Sequence, residues 1–208
     1  MNGTGDEALM LAYRGGDARA FEILYARHKD ALYRYLLRQC RIAAVAEELF
    51  QEAWMTLIKA RERYEPRAKF TTYLYRLAHS RLIDYYRRQS TGVPISYDTD
   101  ADEPLVERVP DGEMRQPENA LDARRQVNHL LALIEQLPEA QREALLLREE
   151  GGMAIEQIAE ATGVSVETAK SRLRYAVAKL RQGMRALSGD DDAPAAKLDA
   201  GRGEAEPW

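Results

Sequence analysis

The sequence predicts an all-α protein built as two small helical domains joined by a flexible acidic linker. Three observations carry this. Apolar residues recur at three- and four-residue spacing along most of the chain, with almost no strand-like alternation. One internal stretch, GVPISYDTDADEPLVERVPDGEMRQP, combines prolines, acids and little periodicity, the composition of an extended, solvated tether. Near the C-terminus, Ala154 to Gln182 reads AIEQIAEATGVSVETAKSRLRYAVAKLRQ, a helix-turn-helix pattern.

The elements follow in order. A short helix is predicted from about Asp6 to Arg14, ended by Gly15-Gly16. Asp17 is placed to cap a long helix to about Cys40, with Phe21, Leu24, Tyr25, Leu32, Leu36 and Leu37 on its apolar side. A third helix is expected from about Ala43 to Tyr64, with Pro66 in the break after it, and a fourth from near Lys69 to about Arg88. Helical pattern resumes at about Glu118 and runs to Pro138; a helix from Glu139 to about Glu150 precedes the helix-turn-helix. There Ile155, Ile158 and Ala159 give one short helix an apolar face, Gly163 tolerates the left-handed turn and Val164 plugs the angle. Ser165 is placed to N-cap the second helix, with Glu167 in its first turn. The divisions are therefore 6–92, a linker at 93–118, a second domain at 119–187 and a polar tail at 188–208, expected to be disordered.

Composition excludes several classes. In 208 residues there is no apolar run long enough to cross a bilayer and no signal-peptide pattern. The lone Cys40 forbids an internal disulfide and suits a reducing cytoplasm, and it is expected to be a packed helix residue. His28, His79 and His129 are scattered, so neither a metal nor a cofactor is expected. The formal net charge of −4 looks wrong for a nucleic-acid binder until it is divided by segment. Residues 1–92 hold 16 Lys/Arg against 11 Asp/Glu, whereas 93–118 hold 2 against 8 and the tail 2 against 6. Acid is concentrated in linker and tail, and local charge governs a DNA-facing surface.

Three blocks carry candidate chemistry. Near its start, the second helix of the helix-turn-helix presents Lys170, Ser171, Arg172 and Arg174, where a recognition helix meets base edges and phosphates. In KFTTYLYRLAHSRLIDYYRR, Phe70, Leu74, Leu77, Ala78, Leu82 and Tyr85 form a core stripe. A second stripe holds Tyr73, Arg76, Ser80, Ile83 and Arg87. Aromatics interleaved with guanidinium groups suit single-stranded nucleic acid, since bases stack on rings while arginines hold the backbone. A solvated basic face is the competing reading. In AEELFQEAWMTLIKA, Leu49, Ala53, Leu57 and Ala60 face inward while Glu47, Glu48, Gln51 and Glu52 crowd the other side beside Phe50 and Trp54. That is either a solvated charged face or a protein docking surface with aromatic anchors.

Together and in this order, the blocks resemble bacterial RNA polymerase sigma factors of the extracytoplasmic-function group, over roughly residues 7–187. AEELFQEAW resembles that family's region 2.2, FTTYLYRLAHSRLIDYYRR its regions 2.3 and 2.4, and LPEAQREALLLREEGGMAIEQIAEATGVSVETAKSRLRYAVAKL its region 4. The resemblance implies a region 2 helical bundle, a region 4 helix-turn-helix, and promoter-specific initiation with core polymerase. It implies that Glu47, Glu48, Leu49, Gln51 and Glu52 dock on the β′ coiled coil. Lys69, Phe70, Tyr73, Arg76, Ser80 and Arg87, with the loop around Arg67–Lys69, would engage the melted −10 element. Thr168, Lys170, Ser171, Arg172, Arg174 and Tyr175 would read the −35 element. It also implies an anti-sigma partner, and a linker that enters the polymerase cleft. Val45, Tyr73 and Ser80 depart from the family's usual acidic residue, Trp and Asn. A stand-alone helix-turn-helix regulator is the alternative, but it would need an upstream receiver or ligand domain, usually with strands. A serine recombinase would need an α/β catalytic domain with a nucleophilic Ser, so no enzyme is expected.

Overall fold

The computed structural model describes residues 4–90 and 117–188. Eight α-helices account for most of them: α1 Asp6–Arg14, α2 Ala18–Cys40, α3 Ala43–Ala60, α4 Phe70–Ser90, α5 Pro117–Glu135, α6 Glu139–Glu149, α7 Ile155–Thr162 and α8 Val166–Ser188, with no strand among the described residues.

In the first half, α3 packs between α2 and α4, and α1 lies against α2. Asp17 caps α2 as its sequence position implies, accepting the Arg19 N–H at 3.0 Å. Asp6 ties α1 to α2 through Arg27 (2.6 Å) and His28 (2.7 Å). The core is filled by Leu24, Leu32, Leu36, Leu49, Leu57, Phe70, Leu74 and Leu82, all essentially inaccessible. Cys40 is buried there too.

The third helix stops earlier than expected. It tightens into a 3-10 turn at Arg61–Arg63, and Tyr64 is extended (φ −65°, ψ 127°) and buried. Pro66 disfavours helical backbone at the residue before it. The ring of Tyr64 instead packs on Tyr73 at 5.2 Å, and its carbonyl accepts from Arg14 at 2.9 Å.

In the second half, α8 is the hub against which α5, α6 and α7 pack. Gly163 ends α7 with φ +68°, and Ser165 Oγ accepts the Thr168 N–H at 3.1 Å to cap α8. A Cβ on Gly163 would meet nothing within 4 Å, so any cost of adding one is conformational. Gly163→Ala is therefore expected to lower stability by about 1–2 kcal/mol, read as a lower denaturant midpoint with an unchanged slope.

Both helical domains that the sequence predicts are present, and they touch, α4 on α7 and α2 on α6. The apolar face of α7 covers part of α4 as well as α8, so the pattern read at Ile155–Ala159 serves two neighbours. The expected linker at 93–118 lies outside the described residues except for its last two, which already belong to α5. The expected disordered tail lies outside them from residue 189 onward.

Candidate functional site

Three surfaces hold the candidate residues. On α3, Glu47, Glu48 and Gln51 are exposed and Glu52 is half-buried. Leu49 is not part of this surface: at 2% exposure it is a core side chain that seats the helix, so it offers a partner nothing. Val45 is wholly buried, so the exchange at that position lies beneath the acidic cluster, not on it.

Beside the cluster runs a groove of about 320 Å³, lined by Tyr25, Lys29, Asp30 and Tyr33 of α2 and Glu47, Phe50 and Gln51 of α3. Its floor is aromatic: Tyr25 meets Trp54 edge-on at 5.0 Å, and Tyr33 meets Phe50 edge-on at 5.9 Å. Burial, then the Glu47 carboxylate, raises the Tyr33 hydroxyl above its ordinary pKa. Tyr25 and Tyr33 were not singled out from sequence as functional residues. The signal was present in Phe21, Tyr25, Lys29 and Tyr33 at four-residue intervals, one helix face, but it reads equally as core. Trp54 Nε1 and one Glu52 carboxylate oxygen are enclosed without a hydrogen-bond partner among the described residues. Such atoms are uncommon in finished interiors.

The second surface is α4 and the loop before it. Glu7 of α1 accepts the Phe70 N–H at 2.8 Å, so the first turn of α4 is capped by a residue 63 positions away. A carboxylate here also suits the helix dipole. Burial, then Glu7, pushes the Tyr64 hydroxyl up to about 12, so it stays neutral at physiological pH. In the loop, Arg67 pairs with Glu65 at 2.6 Å on the exposed side. Lys69, Arg76, Ser80 and Arg87 are exposed, and Tyr73 is half-buried with its ring supported by Tyr64. Burial raises the Tyr73 hydroxyl above its ordinary pKa. Phe70 departs from the expected set. It is fully buried and packs on His28, so it anchors the start of α4 and does not face a ligand.

The third surface is the first half of α8. Thr168, Lys170, Arg174 and Tyr175 are exposed, while Ser171 and Arg172 are half-buried. Thr168 shares a 2.8 Å hydrogen bond with Ser165 and so belongs to the cap as well. Lys170 and Arg174 stand one turn apart, hence on one face. Lys170 Nζ lies 3.7 Å from Glu167, a solvent-exposed pair that yields readily to a phosphate. The Arg174 guanidinium lies 5.2 Å from the Tyr175 ring centroid, and this ring is half-exposed. An exposed cation–aromatic pair in the first turns of a second helix fits a groove-reading surface.

Among the described residues, no helix is long and apolar enough to cross a membrane, and no group of three His, Cys, Asp or Glu could hold a metal ion.

Comparison with known proteins adds independent findings. The family model for sigma-70 region 2 matches residues 24–91, and that for sigma-70 region 4 matches 128–180. The RNA polymerase sigma factor CarQ of Myxococcus xanthus is 31% identical over 183 residues, spanning 83% of this chain and 94% of the relative. The ECF RNA polymerase sigma-E factor of Escherichia coli K12 is 30% identical over 172 residues, spanning 81% and 88%. Two solved structures share the fold. One is the sigma factor RpoE in complex with the anti-sigma factor NepR from Bartonella quintana, with TM-score 0.64, 18% identity and coverage of 81% of this chain and 98% of that one. The other is CnrH in complex with the cytosolic domain of CnrY, with TM-score 0.61, 22% identity and coverage of 90% and 99%.

Proposed function

The chain belongs to the extracytoplasmic-function group of sigma-70 RNA polymerase sigma factors, and from that premise we propose how its three surfaces divide the work of initiation. As an alternative sigma factor it is an initiation factor and not an enzyme by itself; the phosphodiester chemistry belongs to the polymerase. The acidic cluster Glu47, Glu48, Gln51 and Glu52, with the Tyr25–Tyr33–Phe50 groove beside it, docks on the polymerase β′ coiled coil. Aromatic anchors in a groove flanked by steering charges support this reading.

Lys69, Tyr73, Arg76, Ser80 and Arg87 hold the unstacked bases and backbone of the −10 element. Captured single strand favours the melted state, a selection of an otherwise rare DNA conformation. Lys170, Arg174 and Tyr175, flanked by Thr168, Ser171 and Arg172, contact the −35 duplex through phosphates and a few base edges. The observation that carries the reading is the coexistence, in one chain, of a helix face with exposed arginines beside the half-buried Tyr73 and an exposed Lys/Arg recognition helix. An anti-sigma partner restrains it, a reading supported by the solved sigma factor RpoE of similar fold, which is in complex with the anti-sigma factor NepR, and it works in the cytoplasm with the polymerase.

The deciding experiment is run-off transcription with purified core polymerase on a genomic promoter library. Promoter-specific start sites that depend on this protein are expected; their absence would leave a plain DNA-binding regulator. Lys170→Ala is expected to weaken binding to −35 duplex across sequences and to lower the salt slope of affinity by about 1, measured by fluorescence anisotropy over a salt series.

A further inference from the structure

Residues 65–69, between the 3-10 turn and α4, form the loop that the promoter reading sets against the −10 element. Its own side chains do not anchor it: Glu65, Pro66, Arg67 and Lys69 are exposed and Ala68 is half-buried. Its internal order comes from the Arg67 N–H, which donates to the Glu65 carbonyl at 2.8 Å, and from the Arg67–Glu65 ion pair. An exposed pair of this kind contributes little. With so little buried, the position of the loop depends on its two ends.

Both ends are held by α1. At the entry, Arg14 Nη1 donates to the Tyr64 carbonyl at 2.9 Å, and the Arg61 guanidinium lies 5.7 Å from the Tyr13 ring centroid. At the exit, Glu7 Oε1 accepts the Phe70 N–H at 2.8 Å. Glu7 acts on the entry as well, since its charge adds to burial in raising the Tyr64 hydroxyl. Glu7 and Arg14 are seven positions apart, two helical turns, so they share one face of α1 about 10 Å apart. That face is itself fixed, because Leu9 and Met10 are buried and Asp6 is paired to Arg27 and His28 of α2.

A plainer account is that an acid in the first turn and a base in the last suit the dipole of α1 itself. Solvated charges would satisfy that account. It leaves unexplained why each charge bonds a main-chain atom, 63 and 50 positions away, on opposite shoulders of one exposed loop. Tyr64 and Phe70, which supply those main-chain atoms, are both buried, so each bond is costly to lose. The Tyr64 ring also supports Tyr73, so a shift at the entry reaches the aromatic of the −10 face.

We propose that Glu7 and Arg14 are positioning residues for base selection: α1 grips the Phe70 N–H and the Tyr64 carbonyl, and so fixes the 65–69 loop and Tyr73 in the geometry that discriminates the captured base. Both residues precede residue 24, where the region 2 match begins. The inference rests on the −10 reading above and adds to it a determinant outside the helix that meets the DNA.

The test uses holoenzyme formed from the full chain and core polymerase, on a promoter it initiates from and on single-base substitutions through that promoter's −10 element. The readout is the ratio of run-off transcript from the preferred sequence to that from each substituted one. Glu7→Ala and Arg14→Ala are each expected to reduce this discrimination by about 3- to 10-fold, with core binding and −35 duplex binding unchanged. Glu7→Gln keeps an acceptor of the same size and Arg14→Lys keeps a donor, so both should retain most of the discrimination. Hydrogen exchange at the Phe70 amide should quicken in Glu7→Ala and stay slow in Glu7→Gln. Circular dichroism melts accompany every variant. Equal loss on all −10 sequences, in step with lowered stability, would make Glu7 and Arg14 ordinary supports of the fold and overturn the proposal. Unchanged ratios in both alanine variants would overturn it too, while promoter-specific transcription by the unmodified chain kept the promoter reading intact. No promoter-specific transcript from the unmodified chain would sink the promoter reading, and this inference with it.

Discussion

Phe70→Ala is expected to destabilise the N-terminal helical half by about 3–5 kcal/mol, the range for truncating a buried aromatic. The residue is fully inaccessible, packs on His28, and begins the helix whose first N–H is capped by Glu7 from α1. Removing it opens a cavity where α1, α2 and α4 converge, at the base of the loop that positions Lys69 and Tyr73. Denaturant unfolding is the measurement. Phe70→Leu separates a packing role from a contact role, because it keeps most of the apolar volume and removes the ring. Recovery of most of the lost stability and transcription with Leu is the expected outcome. Near-normal stability with Ala, combined with a specific loss of promoter melting, would return Phe70 to the nucleic-acid surface.

Arg76→Ala is expected to impair open-complex formation by about 5- to 30-fold, the equivalent of roughly 1–2 kcal/mol from one lost guanidinium contact to stacked bases or phosphate. Polymerase binding should stay within about twofold. The asymmetry follows from placement: Arg76 is exposed on α4, on the stripe with Tyr73 and Ser80, whereas the docking cluster stands on α3. Permanganate footprinting of melted thymines reads the first quantity and core-binding titration the second. Equal loss of both would count against the assigned role. Fold integrity is not at stake, since an exposed arginine changed to alanine in a helix is close to neutral.

Much of this molecule is legible in its residues. Helix starts at Asp17 and Ser165 and the left-handed stop at Gly163 follow from local chemistry, and each stands where the sequence placed it. The core stripe of α4 likewise follows from periodicity, with Leu77 alone left half-buried. Boundaries that depend on distant partners were less readable. The end of α3 at Ala60, not Tyr64, is set by where the Tyr64 ring finds burial, against Tyr73 across a loop. Leu49 and Phe70 show the limit of transferring a motif as a block: a motif mixes side chains that touch a partner with side chains that hold those in place. Only burial distinguishes them.

By itself, then, the sequence determined what is local or periodic. The all-helical class, the caps, the apolar faces and the three charged or aromatic surfaces depend on spacings of three or four residues, and such spacings are visible in one dimension. The tertiary structure alone decided what those faces pack against. The capping of α4 by Glu7 joins residues 63 positions apart. The contacts of Glu143 with Tyr35 and of Glu150 with Arg34 join residues more than a hundred apart. Nothing in the sequence distinguishes the charges at 34, 38, 143 and 150 from those of a solvated helix face. They meet because the two helical halves bring complementary groups to the same buried surface, where each is costly to leave unpaired.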